Sequence, residues 1–128
     1  MVRALPLFAA ILLAGCLGDD MCGNDAVSRR DAPGGHHSAV VFQRDCGATT
    51  GFSTQISIVP SGEQPRGKGN VFIASADHGP VASWGGPWAE VIWLAPDHLL
   101  VKYAANSRIA VKEERAAGIA VNYRAEQR

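Results

Sequence analysis

The chain carries no excess of charge of either sign: 12 lysines and arginines face 12 aspartates and glutamates, a formal net charge of +0. It contains no arginine-rich run and no basic stripe, so it does not read as a nucleic-acid binder. Helical periodicity is also missing. No segment repeats apolar residues at three- and four-residue spacing between caps. The nearest rival, RIAVKEERAA (residues 108–117), has helix-forming composition but is read here as strand and turn. There is no internal repeat and no low-complexity tract. The longest apolar run falls short of the roughly 20 residues that span a bilayer, and it contains Pro6.

That run is informative in another way. The chain opens MVRALPLFAAILLAGC, with Arg3 and the amino terminus ahead of an apolar stretch, then Ala14, Gly15 and Cys16. This is the layout of a secretory signal peptide. LAGC (residues 13–16) resembles the bacterial lipobox. The resemblance implies a signal peptide over residues 1–15, cleavage before Cys16, and lipid on that cysteine. One acyl chain holds a protein at a membrane marginally and two or more hold it stably, at about 0.8 kcal/mol per buried methylene. Lipoprotein sorting patterns reserve Asp after the cysteine for inner-membrane retention. Leu17 stands there, so the expected address is the periplasmic face of the outer membrane.

The chain has only three cysteines. With Cys16 lipidated, Cys22 and Cys46 remain, and an exported compartment oxidises thiols. The even remainder predicts a Cys22–Cys46 disulfide.

Residues 16–37 are rich in Gly, Asp, Ser and Arg and show no period. We read them as the lipidated cysteine and a flexible tether, fixed partly at Cys22. Residues 38–128 form one β domain. Strand signals recur in AVVFQR (39–44), STQISIVP (53–60), VFIA (71–74), AEVIWL (89–94), LLVKY (99–103), 109–112 and 119–123. APDH (95–98) is a hairpin turn, SGEQPRGKGN (61–70) is a loop crowded with turn residues, and residues 75–88 form a long loop. The expected architecture is all-β, an antiparallel meander of about seven short strands closing into a sandwich or a partly closed barrel.

Over residues 22–123 the chain resembles a family of small bacterial lipoproteins. The resemblance is carried by CGN (22–24), AVVFQRDCGATTGFSTQISI (39–58), GNVFIA (69–74) and VIWLAPDHLLVKY (91–103). RDCGATTGFSTQ is its specific block. Relatives carry a Ser-Pro-Asp-Gly turn before the first strand, where this chain has DAPGGHHS. The family implies a single all-β domain and no established activity.

Four constellations bear on chemistry. Cys46 as a nucleophile would need a nearby base and a reduced thiol, and no motif surrounds His36, His37, His78 or His98. GATTGFST (47–54) has Phe52 where a phosphate loop needs lysine. Its hydroxyls suit a turn instead, and Thr49, Thr50, Phe52 and Ser53 remain candidates for a binding surface. The pairs His36–His37, Asp77–His78 and Asp97–His98 have ligand chemistry without metal-site spacing, so no metal or cofactor is expected. Trp93 with Val91 reads as core. Trp84 and Trp88 either cap an open barrel end or form an aromatic platform for a glycan, peptide or protein.

The sequence therefore predicts a lipid-anchored, non-catalytic binding or structural module of the cell envelope, held to the membrane through its N-terminal lipid. Its further partner would be an envelope protein or a glycan. An inhibitor of a cell-wall hydrolase is one alternative, by analogy of architecture alone. A small hydrolase or metal-binding protein using the Cys46 loop or the histidines is another.

Overall fold

The computed structural model describes residues 22–47, 52–77 and 79–128. Residues 1–15, Cys16, Thr49, Thr50 and His78 lie outside these. The described residues are all-β. Nine strands form two sheets: β1 (Gly23–Asp31), β2 (His37–Asp45), β3 (Ser53–Pro60), β4 (Phe72–Ala76), β5 (Ala89–Ala95), β6 (His98–Ala104), β7 (Ser107–Lys112), β8 (Arg115–Ala116) and β9 (Ile119–Glu126). One sheet runs β1-β2-β3-β4-β7 and the other β5-β6-β9-β8. They share no strand, so the molecule is an open sandwich. No helix of the described residues is long and apolar enough to cross a membrane.

Period-2 alternation builds the core. Ala39 and Val41, Ile56 and Ile58, and Phe72 and Ala74 point inward from the first sheet. Val91, Leu99, Val101, Tyr103, Ile119 and Val121 meet them from the second. The rings of Phe72, Tyr103 and Tyr123 cluster with centroids 5.4 to 6.4 Å apart. The hairpin at residues 95–98 forms as expected, with Ala95 opposite His98, and residues 108–117 are strand and turn.

Three expectations need correction. First, Gly23–Asp31, assigned to the tether, is a nine-residue strand paired with β2. As an edge strand it buries little. A bulge between Ala26 and Ser28 breaks its alternation, and only Val27 packs on the core. No hydrophobic period was therefore there to be read. The turn that joins it to β2 is DAPGGH, closed by bonds from Ala32 N to His37 O (2.8 Å) and from Gly35 N to Ala32 O (3.0 Å). Second, the described residues form nine strands rather than about seven, the other addition being the two-residue β8. Third, the topology is not a simple meander. β7 crosses to the first sheet and β8 returns antiparallel to β9, which leaves β9 parallel to β6.

The loop at residues 61–70 is more than a connection. Val40 and Phe42 alternate with the inward-facing residues of β2, yet both are 0 % exposed. The loop lies across that outer face. Gly69 N donates to Gln55 Oε1 (2.8 Å), and Asn24 Nδ2 donates to Pro65 O (3.2 Å) and Gly67 O (2.9 Å). The Asn70 amide accepts from Ile58 N (2.8 Å) and donates to Ile58 O (2.9 Å), so a side chain extends the β3–β4 ladder.

Candidate functional site

Register divides the sandwich into two ends. Gly23 pairs with Asp45, Arg44 with Ser53, Ser53 with Ser75 and Ala76 with Ser107. These mark one end of the first sheet. The same end of the second sheet carries Ala89, opposite Tyr103, and Ala104, beside Glu126. At the other end Asp31 pairs with Ser38, Ala95 with His98, and Ala116 with Ile119.

The first end bears the disulfide. Cys22 and Cys46 are bonded, with Cα atoms 4.0 Å apart and a sequence separation of 24. A sulfur in a disulfide is neither nucleophile nor metal ligand, so the thiol reading of Cys46 falls.

The same end brings together two segments far apart in sequence. Thr54, 0 % exposed near the start of β3, is their joint. Its hydroxyl donates to Pro87 O (2.5 Å) and accepts from Trp84 Nε1 (2.8 Å). The loop before β5 closes on itself through Ala82 N to Gly86 O (2.8 Å) and Gly85 N to Ala82 O (2.9 Å). Glycine is demanded at both contact points. A Cβ on Gly85, whose φ is +91°, would stand 2.6 Å from the Phe52 ring, and one on Gly86 would stand 2.5 Å from Thr54 Oγ1. The loop therefore sits as close to β3 as backbone allows.

The Phe52 ring lies against Gly85 yet stays 48 % exposed, and Val81 is 51 % exposed. Trp84 and Trp88 are half-buried. The Arg128 guanidinium lies 3.5 Å from the Trp88 ring centroid, a cation–π contact, and bonds Glu126 Oε2 at 3.3 Å. Pro80, Val81, Ala82, Trp88 and Arg128 line a shallow recess of about 240 Å³. Ser53 Oγ is occupied internally, lying 3.4 Å from Arg44 O and accepting from Gln55 Nε2 at 3.0 Å. Of the surface expected from sequence, Phe52 and the tryptophan loop thus come together. Ser53 is turned to local structure, and Trp84 spends its indole N–H on holding the loop. Val81 and Arg128 were not singled out from sequence. Their part arises from contacts between segments, which no local pattern records.

Val91 is core as expected, at 2 % exposure. Trp93 is half-buried against the core, and its Nε1 donates to Arg30 O (2.8 Å), tying β5 to β1 toward the opposite end. That end holds a cleft of about 470 Å³ to which His36, His37 and Asp97 contribute, so two of the three histidine pairs supply residues to one place. Even so, among the described residues no three His, Cys, Asp or Glu side chains are grouped to hold a metal ion. Asp77 is paired with Arg108 at 3.4 Å. Burial raises the Tyr123 hydroxyl above its ordinary pKa and the Glu113 carboxylate adds to the rise. That hydroxyl lies 2.5 Å from Glu113 O and 3.1 Å from Val71 O, a structural tie across the β7–β8 corner.

No family model, curated protein or solved structure matches the chain.

Proposed function

We propose that this is a lipid-anchored, non-catalytic binding module of the cell envelope, attached through Cys16 and using its disulfide-bearing end as the binding surface. The resemblance to small bacterial lipoproteins belongs to the same proposal, as does the periplasmic face of the outer membrane as its location. One observation carries the reading. Phe52 and Val81 stay about half exposed on segments otherwise locked by the Thr54 hydroxyl and by two glycines that admit no Cβ. A rigid mount that presents apolar side chains to solvent is the arrangement expected of a docking surface. The disulfide at Cys46 supports the non-catalytic side of the proposal by removing the one reactive thiol of that loop.

Two measurements test it. Palmitate labelling of the expressed full chain should be lost in Cys16→Ser, which should also leave the membrane fraction. Unchanged labelling and fractionation would overturn the anchor. A photo-reactive residue at position 52 should then form adducts in cells, whereas one at position 33, exposed at the opposite end, should not. Equal yields at both positions would overturn the surface.

A further inference from the structure

We infer that the partner of the aromatic end is the lipid surface itself: the domain seats Phe52, Val81 and Trp88 in the headgroup layer of the bilayer that holds its own anchor. The inference rests on lipidation of Cys16 and deepens the proposal above by naming what its surface contacts.

The covalent tether limits which end of the domain can meet the bilayer. Only residues 17–21 separate Cys16 from Cys22, and a chain extends at most about 3.5 Å per residue, so Cys22 stays within about 20 Å of the headgroups. Cys22 opens β1 at the end that carries Phe52 and the tryptophan loop. β1 is nine residues long, about 30 Å at roughly 3.3 Å per residue. Inverting the domain to bring the His36, His37 and Asp97 cleft to the membrane would lift Cys22 by about that length, beyond its tether. The disulfide-bearing end is the end the anchor can press against lipid.

The composition of that end suits a lipid surface. Two of the four large apolar side chains exposed among the described residues, Phe52 and Val81, stand at this end. Beside them are two tryptophans, one of them under a guanidinium. Aromatic rings with one apolar and one wet side, joined by arginine, are the residues that settle at the membrane–water interface. Charge here is mixed. Arg108 pairs with Asp77, and Arg128 and Lys102 both pair with Glu126. Seating therefore depends on apolar and aromatic insertion, not on anionic lipid, and it should change little with salt. The loop is already fixed in place, so contact orders little that was free.

The distribution of tryptophans supplies the assay. Trp84 and Trp88 lie at the proposed membrane end, and Trp93 bonds Arg30 O toward the other. The full lipidated chain is reconstituted into phosphatidylethanolamine–phosphatidylglycerol vesicles containing a brominated phospholipid. Retaining Trp88 alone (Trp84→Phe with Trp93→Phe) should give emission quenched several-fold more than retaining Trp93 alone (Trp84→Phe with Trp88→Phe). Should a phenylalanine variant not fold, the three-tryptophan chain reads out the same effect, since most of its emission should be quenched. Phe52→Ser with Val81→Ser should remove the difference while circular dichroism shows the domain still folded. Equal quenching of Trp88 and Trp93 overturns the inference, and so does a position-52 photo-adduct to protein or glycan with none to lipid. Mass spectrometry of the same sample separates the two failures. An unmodified Cys16 brings down the anchor and this inference with it. A lipidated Cys16 with equal quenching brings down this inference alone.

Discussion

Thr54→Val tests whether one hydroxyl holds the two halves of the proposed surface together. Valine keeps the shape of threonine and removes the oxygen. Two groups lose their partner: Pro87 O, on a fully buried proline, and Trp84 Nε1, on a half-buried ring. A buried polar group left unpaired costs about 1–3 kcal/mol. Water can reach the indole more easily than the carbonyl, so the pair should cost about 3 kcal/mol together. For a domain of this size that lowers the melting temperature by roughly 15 °C. Thr54→Ser is the control. It keeps the hydroxyl and deletes one buried methyl, a loss of about 1 kcal/mol, or roughly 5 °C. Melts followed by circular dichroism measure both, and tryptophan emission should move to longer wavelength in the valine variant alone as the loop lifts from β3. If serine and valine lose equal stability, methyl packing holds the loop and the hydrogen-bond argument is wrong.

Removing the disulfide through Cys22→Ala with Cys46→Ala frees a loop of sequence separation 24, for which chain-entropy estimates give about 3.5 kcal/mol of lost stability. Hydrogen exchange should rise first in the Cys22-proximal half of β1, which is otherwise held by β2 and by the bonds of Asn24, whereas the far half keeps Val27 on the core and the Trp93 bond to Arg30 O; uniform exchange across β1 to β3 would count against this order. Alkaline titration addresses Tyr123. Its folded pKa is raised, so its contribution is fully present below the unfolded value of about 10 and is lost as pH rises above it. Stability should therefore fall above about pH 10, and Tyr123→Phe should flatten that fall while costing about 1 kcal/mol at neutral pH for the lost hydrogen bond.

Much of the fold is legible along the chain because burial of one sheet face writes itself locally. Ala39 and Val41, Ile56 and Ile58, and Leu99 and Val101 alternate with a period of two, and APDH is a turn whatever surrounds it. The pairing of Cys22 with Cys46 follows from parity once Cys16 is set aside. These readings need no knowledge of which strand lies beside which. What is not local was not legible. β1 is an edge strand with a bulge, and it owes its pairing to β2 rather than to a pattern of its own. The 61–70 loop looks like any polar connection, and only its bonds to Gln55, Ile58 and Asn24 make it the cover of Phe42. The parallel pairing of β6 with β9 follows from a crossing between sheets.

The same division runs through the proposed site. Residue types alone singled out Phe52, Trp84 and Trp88, because large aromatics in glycine-rich loops are conspicuous. Their convergence was decided by Thr54, 30 residues from Trp84 in sequence, together with two glycines whose missing Cβ atoms permit the contact. That the segment leading to Cys16 joins the domain at this same end was decided by strand register. Sequence determines which side chains prefer burial and where the chain can turn. Only tertiary structure determines which distant segments share a surface, because such contacts depend on pairings that no local preference encodes.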